Sequence, residues 1–246
     1  GGRKFYRMRG DRDVDVRFGA LLLSGRLEET FNGLTFFLEE AGLPDEDINV
    51  DGKILLGRLF KKTQFSGELT VKDSTASFDI DVNGAVTKGE IVFDKLTLVD
   101  VPVIQKLYDA YERYVLQLPG DTSEGLRFDT AEKVDIALKA VSLLVKGTDL
   151  GTLNAPLTIK DGIMTIAPLS GKFSGGDIKG RIEVRAAQSP AHLDAKLSLK
   201  DWVYGDFLKA LHGHSDIKGK ANVNAELTGT GHTVADIENA LNGEII

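Results

Sequence analysis

The sequence predicts a mainly β chain with a few short helices, its strands joined chiefly as antiparallel hairpins, and three observations carry that reading. From Ile178 to Leu227 apolar and polar residues alternate in three long runs. Ile178, Gly180, Ile182 and Val184 stand against Lys179, Arg181 and Glu183; Leu193, Ala195, Leu197 and Leu199 stand against Asp194, Lys196 and Ser198; and Ile217, Ala221, Val223, Ala225 and Leu227 stand against Lys218, Lys220, Asn222, Asn224 and Glu226. A period of two gives a strand one dry face and one wet face. Turn signals recur at Asn83-Gly84 and Asp161-Gly162, pairs suited to two-residue hairpins. No strand–helix–strand rhythm with a glycine-rich phosphate loop occurs. The long, unevenly spaced strands also do not fit a parallel β-helix, whose short rungs repeat about every 20–25 residues.

The chain has 246 residues, a net charge of −7, 27 glycines and no cysteine. That length fits one elongated unit or two small domains. The acidic balance argues against a nucleic-acid partner. Absence of cysteine excludes a disulfide scaffold and a cysteine-based zinc site, and fits periplasm and cytoplasm equally. The chain opens Gly1-Gly2-Arg3 and stops at Ile246 within an apparent strand, so both ends read as cut from something longer. No run of about 18 apolar residues is present to span a bilayer.

Taken in order, residues 11–17 alternate as a strand with Val14, Val16 and Phe18 on one side. Phe31, Leu34, Phe37 and Leu38 recur at helical spacing, and Gly42 stops that predicted helix. Phe65–Val71 and Ala76–Val82 form a hairpin through Lys72 to Thr75, with Leu69, Val71, Phe78, Ile80 and Val82 at apolar positions. Glu90 to Leu98 reads as a further strand. Asp100 then caps the longest predicted helix, 101–117, whose stripe includes Val103, Leu107, Tyr111 and Val115. Residues 119–126 are the most linker-like stretch, and divide the chain into a helix-plus-strands unit, 1–120, and a second β unit, 121–246.

Beyond that boundary Val134, Ile136 and Leu138 alternate with Lys133, Asp135 and Lys139. With Asp161-Gly162 as a two-residue turn, Ile159 faces Met164 and Leu157 faces Ile166. Gly171, Gly175 and Gly176 allow a reversal before the strand at 178. A short helix covers Tyr204 to Leu211. The last helix starts at Thr233, whose spacing to Asp236 makes a capping box with Asp in place of Glu, and buries Val234, Ile237 and Leu241. The tally is four helices against roughly ten strands.

Catalytic and metal patterns are weak. Asp45 to Gly52 superficially matches a calcium loop, but Val50 and Leu56 occupy the positions where an EF-hand needs Gly and Glu. His212 and His214 with Asp216 lack a third histidine nearby. No Gly-x-Ser-x-Gly elbow occurs, and most carboxylates alternate with apolar residues as a wet strand face does. No catalytic residue, metal ligand or cofactor is nominated, and the expectation is a protein that is not an enzyme.

A series of glycine and aliphatic positions runs through the second half. Phe128-Asp129 precedes Val134, Ile136 and Leu138; Leu150-Gly151 and Leu153 lead into Leu157, Ile159 and Gly162; then come Pro168-Leu169, Gly171, Phe173, Gly175-Gly176, Gly180 and Ile182. Leu208, Leu211 and Gly213, Ile217 and Gly219, Leu227, Gly229 and Gly231, and finally Ile237, Leu241 and Gly243 complete it. In this order and spacing residues 128–246 resemble the C-terminal domain of the AsmA-like family, the AsmA, TamB and YhdP group within the bridge-like lipid-transfer superfamily of Gram-negative bacteria. Residues 1–120 resemble it only loosely.

The resemblance implies an elongated, twisted antiparallel sheet curved into an open groove with an apolar inner face. It also implies an inner-membrane-anchored protein of the periplasm that moves phospholipids toward the outer membrane, with inner- and outer-membrane proteins as further partners. Acyl chains would then meet Leu69, Val71, Phe78, Ile80, Val82, Val134, Ile136 and Leu138 in the earlier strands. Leu157, Ile159, Met164 and Ile166 would follow, and then Ile178, Ile182, Val184, Leu193, Leu197, Leu199, Val223 and Leu227. Burying a methylene contributes about 0.8 kcal/mol, so a sixteen-carbon chain gains roughly 12 kcal/mol over water. Most of that cancels against a bilayer, where the chain is already dry, so a continuous row of equivalent sites offers little barrier to sliding. Two alternatives stand beside this reading. The same residues suit an ordinary core closed by helices or a second sheet, and exposed strand edges suit a scaffold that pairs with client strands in outer-membrane assembly.

Overall fold

The computed structural model describes residues 4–8, 13–18, 21–30, 33–42, 48–57, 62–98, 128, 130–187 and 189–246. The N-terminal strands are β1 (Lys4–Met8), β2 (Asp13–Phe18), β3 (Leu21–Thr30), β4 (Gly33–Gly42), β5 (Ile48–Gly57), β6 (Lys62–Val71), β7 (Ser74–Asn83) and β8 (Val86–Thr97). The rest of the chain supplies β9 (Lys133–Ala140), β10 (Leu143–Val145), β11 (Thr148–Asp149), β12 (Gly151–Lys160), β13 (Ile163–Phe173), β14 (Gly176–Arg185), β15 (Ala191–Trp202), β16 (Ala221–Gly231) and β17 (Asn242–Ile245). Two helices are present among the described residues, α1 (Tyr204–His212) and α2 (Val234–Asn239).

The 17 strands among the described residues all belong to one open sheet. Each strand from β1 to β8 pairs antiparallel with the next. β8 then pairs with β9 in parallel, β9 with β12 antiparallel, and the succession continues antiparallel to β17. β10 runs on beyond β9 along the end of β8, again parallel, and turns back as β11. The parallel pair departs from the all-antiparallel expectation. Two parallel neighbours need a long connection, because the chain must return to the start of β8 before β9 begins. That connection is residues 98–132, which contain the predicted helix 101–117 and the predicted boundary 119–126; both lie outside the described residues.

Local sequence explains most hairpins. Asp161 and Gly162 both have positive φ, 55° and 74°, as a type I′ turn requires, and the pairs Ile159 with Met164 and Leu157 with Ile166 stand where the spacing puts them. Lys146-Gly147 and Ser174-Gly175 close their hairpins in the same way, with φ of 47° and 78° and of 46° and 79°. The capping box of α2 is formed as well: Thr233 Oγ1 accepts from the Asp236 N–H at 3.1 Å, and Asp236 Oδ2 accepts from the Thr233 N–H at 2.9 Å.

Of the helix predicted from Phe31 to Leu38, the part from Gly33 onward is strand β4 instead, and Phe31 lies outside the described residues. Over so short a window Leu34, Phe36 and Leu38 satisfy a period of two as well as Leu34, Phe37 and Leu38 satisfy a helix, and pairing with β3 and β5 decides it. Aromatic and β-branched neighbours favour the same outcome. The turn expected over Lys72 to Thr75 is only Lys72-Asp73, since Ser74 and Thr75 are already paired in β7. The third long run does not begin at Ile217. Gly219 has a φ of 123° and Ile217 is 53% exposed, so the strand starts at Ala221. Within the last helix Ile237 is buried but Leu241 is 43% exposed, because α2 stops short of it; the side chain of Val234 lies outside the described residues.

Among the described residues, buried side chains form several small clusters. Val184, Ala186, Ala191 and Ile237 pack with Phe128, Met164 and Leu193. Phe36 and Leu38 pack with Val14, Leu27 and Ile54. Val145, Leu150 and Ala210 pack with Phe173, Phe207 and Leu211.

Thr233→Ala should weaken α2 by about 1 kcal/mol, read as faster amide exchange at Ile237 and Ala240 with protection of β12 and β13 unchanged. Gly162→Ala should destabilise the β12–β13 hairpin by about 1–2 kcal/mol through its positive φ alone, seen as a lower urea midpoint, and by more if Ala187 cannot move, since an added Cβ would lie 2.5 Å from the Ala187 Cβ.

Candidate functional site

Direct cross-strand partners point to the same face of a sheet. One line of such partners runs Leu27, Phe36, Ile54, Phe65, Ile80, Gly89, Ile136, Leu157, Ile166, Ile182, Ala195, Leu227 and Gly243. It takes one residue from every strand between β3 and β17 in the pairing order, and no polar side chain interrupts it. At ~4.8 Å per strand its twelve steps span roughly 58 Å.

Parallel lines on the same face collect the other nominated residues. Val82, Thr87, Val134, Ile159, Met164, Val184, Leu193 and Gly229 form one. Phe78, Ile91 and Leu138 lie in register on β7, β8 and β9, and Ile178, Leu199 and Val223 on β14, β15 and β16. Leu69 and Val71 lie at even spacing from Phe65 on β6, as Leu197 does from Ala195 on β15, and so point to the same face. All the nominated residues therefore share this aliphatic face. Of them Val71, Ile136 and Val184 are buried; the remainder are half-buried. Phe36, Ile54, Phe65, Gly89 and Ala195 belong to the same face although none was nominated. The alternation around Ile54 and Leu34–Leu38 was the available signal, and the helical reading of the latter hid it.

Two helices sit on this face at opposite strand ends. At the Ala191 end of β15, α2 rests on β16: a Cβ on Gly231 would come within 2.5 Å of Asp236 Cβ, and one on Gly229 within 3.0 Å of Ile237 Cγ2. At the Trp202 end, the Phe207 ring of α1 lies 5.6 Å from that of Phe173 and 5.7 Å from that of Trp202. Both Phe173 and Trp202 are in register with the aliphatic face. Between the helices Ile178, Gly180 and Ile182 of β14 and Leu197 and Leu199 of β15 are half-buried.

The opposite face is charged and laced with ion pairs between neighbouring strands. Lys139 reaches Glu90, Lys172 reaches Asp177, and Lys196 meets Glu226 at 3.1 Å. Glu183 lies between Arg181 and Arg185 and is only 8% exposed, shielded by these flanking side chains rather than by depth. The hydrogen bond from Arg181, and then the charge of Arg185, hold its carboxyl below the ordinary Glu value against the opposing effect of desolvation. Asp177 is lowered likewise, by the hydrogen bond and charge of Lys172.

Side chains with catalytic potential do not assemble. Ser189 Oγ is 2.8 Å from His232 Nδ1, but the nearby Asp236 carboxylate accepts the backbone N–H groups of His232 and Thr233 and caps α2, so it does not orient the imidazole as a triad requires. Asn49 and Asp51 of the calcium-like segment are paired strand residues in β5, while 45–47 lie outside the described residues. Among the described residues no group of three His, Asp or Glu side chains is placed to hold a metal.

A lowered folded-state pKa gives Glu183 a stabilising contribution that is fully present above its unfolded value and lost as pH falls through the folded one. Glu183→Gln should therefore lower the urea midpoint at pH 7, and the difference from the parent should shrink as pH drops through and below the ordinary carboxylate range.

Among the described residues no helix is long and apolar enough to cross a membrane. No curated protein and no solved structure matches the chain. The model of the AsmA family matches residues 109–246, which include every strand from β9 to β17 and both helices, and with more than half its length matched the chain belongs to the AsmA family.

Proposed function

We propose that this chain is a lipid-carrying segment of a periplasmic protein and that acyl chains lie along the aliphatic face on their way between inner and outer membranes. Membership of the AsmA family is consistent with a lipid-transport or membrane-assembly role. The observation that carries the lipid reading is the uninterrupted apolar line from Leu27 to Gly243, on a face where most nominated side chains are only partly buried. Extended apolar patches on soluble monomers are normally covered or bind something. Here α1 and α2 guard two strand ends, and Ile178, Ile182, Leu197 and Leu199 between them are only partly buried. An acyl chain would cover the middle while its headgroup stays hydrated beside the open edge.

Transport in this form needs no catalytic residue. Each strand presents a similar aliphatic site to the next, so a lipid loses one set of contacts as it gains another. A scaffold that pairs with strands of outer-membrane proteins is the second reading; it is favoured by the edge strand β17, where Ile245 is 70% exposed.

Native mass spectrometry of the purified segment should find bound phospholipid. Ile182→Asp puts a charge in the middle of the apolar line and should reduce retained lipid at least tenfold, since 1.4 kcal/mol suffices for a factor of ten and a desolvated carboxylate costs more than that. Far-ultraviolet circular dichroism should stay that of a β protein. A lipid-free parent, together with a variant that unfolds, would show the face to be ordinary core; crosslinks from β17 that capture proteins and no lipid would favour the scaffold.

A further inference from the structure

Beside α1 the chain forms a crevice of about 940 Å³, within the size range of small-molecule sites. Its lining is mostly polar, with three apolar residues at its base. Leu150, Ala210 and Leu211 line it and belong, with Phe173, to the cluster under α1. Phe173 is the cross-strand partner of Gly176, two residues from Ile178 on the same face, so this cluster adjoins the aliphatic face.

The walls are charged with both signs, Lys146 and Lys209 against Asp149 and Asp206. One charge of each sign is already engaged. Lys146 Nζ donates to the Leu211 carbonyl at 2.6 Å, which holds the β10–β11 turn against the end of α1. Asp149 accepts from Ser142 Oγ and from the Gly151 N–H, both at 2.8 Å. Lys209 and Asp206 are the other pair, one helical turn apart and both exposed. Neither takes part in an ion pair or a side-chain hydrogen bond among the described residues.

Free charges of opposite sign in a polar crevice beside the aliphatic face match a group that itself carries both signs on an apolar tail. We propose that this crevice is a headgroup site for zwitterionic phospholipids, with phosphate directed to Lys209 and ammonium to Asp206; it rests on the lipid reading of the aliphatic face. A purely anionic headgroup would meet Asp206 as a like charge, so the site would discriminate between headgroups where the sheet discriminates only between apolar and polar.

The test uses short-chain dihexanoyl phosphatidylethanolamine and dihexanoyl phosphatidylglycerol, with glycerophosphoethanolamine as a headgroup lacking chains, followed by amide chemical shifts and binding isotherms. The phosphatidylethanolamine probe should bind several-fold more tightly and shift the amides of Thr148, Asp206 and Lys209. Lys209→Ala and Asp206→Ala should each erase that preference without unfolding exposed sites, and the double swap Asp206→Lys with Lys209→Asp should restore it. Equal affinity for the two lipids in the parent, or a preference that survives both single substitutions, would overturn the headgroup site while leaving the lipid path standing if lipid is still retained. Loss of all lipid binding to the aliphatic face, with glycerophosphoethanolamine still shifting the crevice amides, would sink the lipid path and keep the zwitterion site.

Discussion

Everything in this chain depends on keeping the period-two pattern of each strand in phase with its neighbours. A slip of one residue in any pair would send that strand's aliphatic side chains to the charged face. The lines from Leu27 to Gly243 and from Val82 to Gly229 exist because no pairing between them slips in this way. β13 shows how the phase is kept where the sequence itself changes step. Its aliphatic positions are even at Met164 and Ile166 and odd at Leu169, Gly171 and Phe173. The register shifts between Ile166 and Leu169 against β14, and between Asn154 and Leu157 of β12 on the other side. A bulge at Ala167-Pro168 absorbs the extra residue, and both neighbours remain aligned.

Charge holds the same register from the other side. Lys172 and Asp177 are direct partners across β13 and β14, and Lys196 and Glu226 across β15 and β16. Exposed pairs of this kind contribute little stability each. Their effect is selective: opposite charges suit the observed alignment, and a shifted one would bring other pairs face to face. Stability and specificity are thus divided between the two faces, aliphatic contact on one and charge matching on the other.

The two helices use the aliphatic face differently. α2 is seated on Gly229 and Gly231, where absence of side chains lets helix and sheet approach closely. α1 rides on the aromatic group of Phe173, Trp202 and Phe207. They stand at opposite ends of β15, and between them Ile178, Ile182, Leu197 and Leu199 are half-buried while Ala195 is buried.

Much of this was legible in the amino-acid order. Strict alternation fixed the strands from Ile178 to Leu227 and their aliphatic side, Asp161-Gly162 fixed a hairpin and its register, and the Thr233 to Asp236 spacing fixed a helix start, because each depends on contacts between residues close in sequence. The strand at Gly33–Gly42 was not legible, since a few aromatic and aliphatic residues satisfy two periods at once and only hydrogen bonding to β3 and β5 separates them. The parallel join of β8 to β9, the seating of α2 on Gly229 and the crevice beside α1 likewise depend on residues far apart in the chain. By itself the sequence determined which side chains would face together along a strand; only the tertiary structure decided which strands were neighbours, and so that those faces join into one line, because pairing between distant strands is set by the whole sheet and not by any segment within it.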